Sequence, residues 1–598
     1  MVGYDSLVRV ASRHARYYHA SGRSLAQIAD PTRHGDTVTD RHARPLEWLR
    51  KHEWTIVGCL ASVAFVLGFV GLWRHQIEYQ EPWSWPDAIY FVFRLFTFEV
   101  DLSNTKADPY DFDPGNWPLQ IARFLAPATL AFAVVKGVML ALASNYNLWR
   151  ISRWKGHAVV CGAGERGRRL SLALRQERWN VAVIERDADC DTLADIRAAG
   201  CRVVIGSVTD PARQAEAKLD TAGLVAAVTP CVESNLRVVL AASKRANGSP
   251  VRALAYAPRS FAEIFERQPP FARIVNGREC GFFDHDASAA RLLVQRYAPE
   301  LVPTLMRERR PPRILVAGDG DVIPELLGVL VTQCQFAGAG VPRIDVFVSD
   351  EDAVARGFPV GHPDLKLVAD LRSTKMSLSH LLRMELPPVG DTAGPFDLVF
   401  AACREDVDTL ALARNLVQQE GRIAGPVVAG LRPSTPLYRL ITETVSQPVP
   451  GVILHDLVEL GCSADIVLRR TLDENARRIH ESYRAEELRK GRQPGETPTL
   501  VPWEELSDGM RQSNRSQADH VPIKRRTLEI SASAATIEAL AEAEHRRWMA
   551  DRVVAGWRYA AKREDGKRLH PSIRPYVDLS EDEKDKDRNT VAAVVATA

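Results

Sequence analysis

The residues whose types and spacing suit chemistry fall into three groups. The first is Gly162-Ala163-Gly164-Glu165-Arg166-Gly167, which follows the apolar run HAVVC and opens the amphipathic run RRLSLALRQE. Gly162 permits a tight turn, Gly164 lets backbone approach a pyrophosphate, and Gly167 lets the following helix pack against its strand. A second apolar run, VAVI, ends in Glu185, where a carboxylate can accept hydrogen bonds from ribose hydroxyls. No nucleophile–base pair or hydride-transfer partner accompanies the turn, so the expected chemistry is holding a nucleotide. The second group lies near the C-terminus: His545, Trp548, Trp557, Tyr559, His570, Tyr576 and Arg588. Aromatic rings for stacking and a guanidinium for bidentate phosphate contact would suit a nucleotide. The same rings would equally form the core of a small domain. The third group is Thr97, Phe98, Glu99 and Asp101, with Lys136 inside an otherwise apolar stretch. Carboxylates repeated around a symmetric ring would attract cations, and Lys136 would oppose them.

These residues need elements to position them. From His157 onward, short apolar runs alternate with amphipathic ones: HAVVCGAG, RRLSLALRQE, VAVIERD, TLADIRAAG, CRVVIGSVTD, RQAEAKLD and LVAAVTP. That alternation predicts an α/β fold with a parallel, dinucleotide-type sheet. A similar order restarts at Arg313 with RILVAGDGDVIPELLGVLV, RIDVFVSD and FDLVFAACREDVDTLALARNL. There the turn keeps only Gly318 and Gly320, and Asp319 and Asp321 would repel an anion. The segment from Arg356 to Pro395 reads as irregular.

The membrane reading rests on two stretches. Trp54 to Trp73 carries no charge and is long enough to cross a hydrocarbon layer of ~30 Å, with interfacial tryptophans at both ends. Trp117 to Leu142 is apolar except for Arg123 and Lys136. Arg41, Arg44, Arg50 and Lys51 precede the first stretch, and Arg150, Arg153 and Lys155 follow the second. This places both termini in the cytoplasm. The intervening loop is acidic and holds WSWPDAIYFVFRLFTFEVD, whose apolar part is too short to span. The chain of 598 residues has a net charge of +2, which gives no basic field for nucleic acid. Its nine cysteines are scattered singly, so neither a disulfide framework nor a zinc site is indicated.

Helix, short re-entrant segment and helix together resemble the pore module of two-span potassium channels. The signature T-V-G-Y-G-D of those channels is replaced by Thr97-Phe98-Glu99-Val100-Asp101, which lacks the filter glycines. The order of motifs from Gly156 to Ala290 resembles the RCK (regulator of potassium conductance) domain. Gly206-Ser207-Val208-Thr209-Asp210 stands where that family has G-D-A-T-D, and Asn235 matches its helix-start asparagine. The resemblance implies that Gly162, Gly164, Gly167, Glu185, Asp210 and Asn235 belong to a site for NAD or another adenine nucleotide. It also implies that two such lobes per subunit build a gating ring in a tetramer.

The C-terminal region repeats itself. ARRIHESY (Ala476 to Tyr483) aligns with AEAEHRRW (Ala541 to Trp548). Pro502, Trp503, Leu506, Ser507 and Arg515 align with Pro575, Tyr576, Leu579, Ser580 and Arg588. The second copy resembles the repeat domain of ryanodine receptors (RyR), through His545, Trp548, Gly556-Trp557, Tyr559, His570-Pro571, Pro575-Tyr576 and Asp587-Arg588-Asn589.

The expected organisation is a cytoplasmic arm (1–45), a two-span pore-like membrane domain (46–148), an RCK-type Rossmann-like lobe (156–300), a degenerate second lobe (311–470) and a mostly helical tandem RyR module (473–598). The function expected from this is a ligand-gated, cation-passing channel of the cell inner (plasma) membrane. Its partners would be membrane lipid, three further copies of itself, a permeant ion and a nucleotide. A poreless membrane-anchored nucleotide sensor and a membrane-tethered NAD(P)-dependent enzyme stand as alternatives.

Overall fold

Two parallel sheets dominate the larger part of the chain, because apolar runs such as AVVC and RILVAG are buried on both faces. The computed structural model describes residues 53–79, 84–97, 115–245, 251–265, 271, 278–386, 394–432, 449–468 and 470–597. The expected arm 1–45 and the pore candidates Phe98, Glu99 and Asp101 lie outside the described residues. The chain divides into two compact units, Met1–Asn145 and Tyr146–Ala598.

In the first unit, helix Glu53–Tyr79 packs with a short helix, Trp85–Phe96, and with the start of a long one, Trp117–Ile151. Trp54–Glu78 and Trp117–Val138 are long and apolar enough to cross a membrane. Pro86 sits in the first turn of the short helix, whose start is capped by Ser84 and Asp87. Gly71 gives the close crossing: a β-carbon there would collide with Leu119, and Asn116 Nδ2 donates to the Gly71 carbonyl at 2.9 Å. Exposed apolar side chains, including Val63, Val66, Phe124 and Val135, cover the outside of this unit. Lys136 is half-buried on the long helix.

The second unit begins with the end of that long helix. Ile151 is fully buried in a cluster with Val159, Val225 and Ala253 of the first lobe. That lobe is a six-stranded sheet of β1 (Ala158–Cys161), β2 (Val181–Glu185), β3 (Arg202–Ile205), β4 (Leu224–Ala227), β5 (Val251–Tyr256) and β6 (Arg278–Phe283). Its order is β3-β2-β1-β4-β5-β6, with Val159 paired to Ala182 on one side and Val225 on the other. This is the dinucleotide-fold order, with a crevice where the strand order reverses between β1 and β4.

The second lobe comprises β7 (Arg313–Gly318), β8 (Arg343–Val348), β9 (Asp370–Lys375), β10 (Leu398–Ala402), β11 (Val427–Leu431) and β12 (Val452–Asp456). Its order, β12-β11-β10-β7-β8-β9, repeats the first sheet strand for strand. The segment read as irregular therefore contributes β9. Its sequence, DLRSTK, holds one apolar residue and none of its side chains is fully buried. An edge strand of that composition carries no apolar signature.

The two lobes exchange helices. Helix His285–Tyr297, which follows β6, puts Ala289, Leu293 and Val294 into the second lobe's core. Helices Leu457–Gly461 and Ala464–Leu468, which follow β12, return Val458, Cys462 and Val467 to the first. Beyond them stand helices Arg470–Arg489, Asp508–Asp519, Val521–Ile530, Ala534–Val554 and Glu581–Thr597. Met549, Ala550, Val553 and Ile573 of this C-terminal module lie in one cluster with Leu326, Leu327 and Leu330 of the second lobe.

Candidate nucleotide sites

At the first glycine turn the three glycines have three different environments. Gly162 has φ +105°, a left-handed conformation that disfavours a side chain. A β-carbon on Gly167 would collide with the Gly162 carbonyl, so that glycine is required for packing helix Glu165–Gln176 against the turn. Gly164 caps the helix, and a β-carbon there would meet nothing within 4 Å. Open backbone at a helix N-terminus is an anion cradle.

Glu185 reaches this turn from the end of β2. Its Oε2 accepts from Ala163 N at 2.6 Å, and its Oε1 accepts from Arg186 N at 2.7 Å and Asp187 N at 3.0 Å. The carboxylate thus fastens β2 to the turn. Asp210 caps helix Pro211–Glu216 by accepting from Ala212 N at 2.9 Å. Asn235 is fully buried: it donates to the carbonyls of Thr229 and Tyr256 and accepts from Thr229 N and Oγ1. It ties β4 to β5 beneath the crevice. The structure therefore groups Gly162, Gly164, Gly167 and Glu185 at one turn, while Asp210 and Asn235 serve local caps and ties.

The turn also faces the second lobe. Arg166 lies over the Tyr256 ring, 3.8 Å from its centroid, and Tyr256 packs on His285 at 5.4 Å. Arg169 donates to Asp456 at 2.6 Å and Glu459 at 3.1 Å, and Arg432 bridges Asp286 at 2.7 Å and Asp321 at 2.9 Å. Asp284, His285 and Asp286 bring possible ligand atoms within 4.8 Å of one another at this seam. Burial, with repulsion from Glu325 and Asp286, pushes the Asp284 carboxyl up to about 7. Burial holds His285 down at about 4, despite Asp286. Arg166, Arg169 and Arg432 were not singled out by sequence, because their partners stand up to 290 residues away.

The second glycine turn is built otherwise. Gly318 has φ +141°, and a β-carbon on it would overlap the Ala402 carbonyl. Gly320 N donates to that carbonyl at 2.9 Å. Asp319 accepts from Arg404 N at 3.0 Å. A cleft of about 210 Å³ remains beside it, lined by Asp319, Asp321, Asp350, Arg356 and Arg404 among others. Three carboxylates make it a poor phosphate site.

The C-terminal module shows one set of contacts twice. His480 Nε2 lies 2.8 Å from the Val501 carbonyl, and His545 Nε2 lies 2.9 Å from the Arg574 carbonyl. Arg515 Nε donates to Asp473 at 2.7 Å, and Arg588 Nε donates to Glu538 at 2.8 Å. His480 packs on Trp503 at 6.2 Å and His545 on Tyr576 at 6.0 Å. His545, Tyr576 and Arg588 thus hold the module together, and Tyr576 further donates to Glu538 at 3.1 Å. Trp548 and Trp557 are partly buried, and the His570 ring lies 5.0 Å from one and 6.3 Å from the other. Tyr559 is half-exposed, with its backbone N–H on Asp364 at 3.1 Å. Sequence reading passed over Arg552, four residues after Trp548 and five before Trp557. The four-residue spacing to Trp548 on one helix was the available signal.

Of the pore candidates, Thr97 ends helix Trp85–Phe96, its hydroxyl donating to the Arg94 carbonyl at 3.2 Å.

Family models match the two motif-bearing parts. Residues 158–275 match the TrkA-N domain. Residues 521–598 match the RyR domain. No curated protein matches the chain. Among solved structures, the GsuK channel bound to NAD is 14% identical, covering 72% of this chain and 86% of its own, with a TM-score of 0.37. GsuK bound to ADP is 15% identical over 70% of this chain and 96% of its own, with a TM-score of 0.34. A further GsuK channel structure is 15% identical over 71% and 100%, with a TM-score of 0.36.

Proposed function

We propose that this chain is the subunit of a ligand-gated, potassium-channel-like ion channel. On this reading it is a homo-tetramer of the inner (plasma) membrane that passes cations and catalyses nothing. Its cytosolic lobes and RyR module sense an adenine nucleotide such as NAD. The observation that carries the reading is the open backbone at Gly164, at the crevice of a sheet with dinucleotide-fold order, inside a TrkA-N match. A diphosphate would sit on the helix N-terminus, with Glu185 at the ribose side of the turn.

The link to permeation comes from the helix Trp117–Ile151, which runs from a membrane-length apolar stretch to Ile151 in the first lobe's core. A nucleotide that binds one arrangement of the lobes better shifts the population toward it, and the helix end moves with its lobe. The second reading, a poreless anchored sensor, is favoured by one specific fact: Thr97 to Asp101 contains no glycine.

The test is current through purified protein in a planar bilayer under a KCl gradient, with NAD, ADP, ATP and ADP-ribose added in turn. A nucleotide-dependent current whose reversal potential follows the cation supports the channel. Silence from folded tetramers that still gain thermal stability with a nucleotide moves the reading to the poreless sensor. No thermal shift with any nucleotide removes the sensing itself.

A further inference from the structure

The tandem organisation of the C-terminal module separates what holds the fold from what does something else. The histidine–carbonyl contact, the arginine–carboxylate pair and the ring under the histidine occur in both copies, so they belong to the architecture. One cluster occurs only in the second copy. Trp548 corresponds to Tyr483, Arg552 corresponds to Glu487, and the segment carrying Trp557 and His570 has no equivalent in the first.

Within that cluster Arg552 is unusual among its neighbours. Arg546, Arg547, Arg563, Arg574 and Arg588 each reach a carboxylate. Arg552 makes no side-chain hydrogen bond and no ion pair among the described residues. It lies instead beside two indoles, 5.6 Å from the Trp548 ring centroid and 5.4 Å from that of Trp557. Burial lowers the Arg552 pKa, reinforced by Arg563 and Arg547, and the nearby Asp551 and Asp565 carboxylates, neither of them paired with it, only partly offset this. His570 completes the group. Its Nδ1 accepts from Ser572 N at 3.1 Å, so Nε2 carries the proton and is a donor with no acceptor among the described residues. Burial, reinforced by Arg563 and Arg552, holds His570 at about 4, neutral at physiological pH. Arg563 is itself forked onto Asp565, and Tyr483 of the first copy lies within electrostatic reach of it.

We propose that Arg552, with His570 and the Trp548 and Trp557 rings, is the ligand site of the RyR module and takes a phosphorylated adenine nucleotide. The guanidinium and the His570 Nε2–H donate to phosphate oxygens, and an indole face receives the base. The site is separate from the glycine turn, and it rests on the reading of this module as a sensor.

The experiment is calorimetric titration of the full detergent-solubilised chain with AMP, ADP and NAD, comparing the parent with Arg552→Gln, Arg552→Lys and Gly164→Val. The expected result is two sites per subunit. Arg552→Gln weakens one of them at least about tenfold, as loss of a charge-assisted contact should, Arg552→Lys falls between, and Gly164→Val removes the other. Thermal unfolding of each variant establishes that it is folded, and Arg552→Lys carries the test if Arg552→Gln is not. A single site lost only in the Arg552 variants supports this inference and sinks the glycine-turn reading. A single site lost only in Gly164→Val, or two sites indifferent to Arg552, overturns the inference and leaves the glycine turn standing. No binding of any of the three nucleotides overturns both.

Discussion

The two glycine turns begin alike, at the C-terminal end of the first strand of sheets with identical strand order, yet they do opposite work. In the first lobe Gly167 closes the helix onto the turn and Gly164 is left bare, so the backbone faces open space. In the second lobe Gly318 and Gly320 are both spent on the Ala402 carbonyl, and the carboxylates of Asp319 and Asp321 are tied to Arg404 and Arg432. The same fold can thus leave a turn's backbone open or seal it. The difference lies in whether the middle glycine has a neighbour.

The sharpest way to break this comparison is a methyl group in each turn. Gly318→Ala should cost at least about 3 kcal/mol or abolish folding, since it adds overlap with backbone to a left-handed φ. Gly164→Ala should cost no more than about 1 kcal/mol, because its methyl meets nothing. Chemical denaturation of both variants decides it. Equal costs would mean that the first turn is as sealed as the second.

A smaller effect is expected at the seam between the lobes. Asp284 has a folded pKa raised to about 7 from an ordinary 3.8, so the folded chain binds the proton more tightly than the unfolded one. Between those values stability falls as pH rises. Asp284→Asn keeps the helix cap and removes the titration. Its melting temperature relative to the parent should therefore climb from pH 4 to pH 7 and then level off. A difference that stays flat across that range would show Asp284 ionised without penalty.

The smallest effects concern the acids after the second strand of each sheet. Glu185→Ala should cost about 1–2 kcal/mol, because three backbone N–H groups lose their acceptor. Arg356→Ala, which removes an exposed 3.7 Å ion pair to the corresponding Asp350, should cost less than about 0.5 kcal/mol. Urea titrations of the pair test whether only the first lobe uses its acid to brace the turn.

Much of this was legible in the sequence, and what escaped has physical reasons. The first sheet and its turn were legible because parallel strands buried on both faces read as unbroken apolar runs. The tandem module was legible because His480 and His545 recur in matching frames. β9 was missed because an edge strand needs no apolar side chains. Asn235 was read through its family position as part of the nucleotide site, and its tie between the ends of β4 and β5 was not legible because Tyr256 lies 21 residues further on. Arg169 and Arg432 were invisible because a salt bridge between lobes leaves no mark on local sequence. Arg552 was overlooked because a lone arginine on a helix normally solvates itself, and only the absence of an ion pair among the described residues, beside two indoles, distinguishes it.

The shared cluster of the second lobe and the C-terminal module has an evolutionary consequence. Met549, Ala550, Val553 and Ile573 fill the same interior as Leu326, Leu327 and Leu330, so the two parts share one core. A gene fusion that exchanged the RyR segment for another would expose that interior unless the helix face of the second lobe were recast at the same time. An exchange that preserves folding would have to carry the lobe's helix face along with the segment or cut elsewhere.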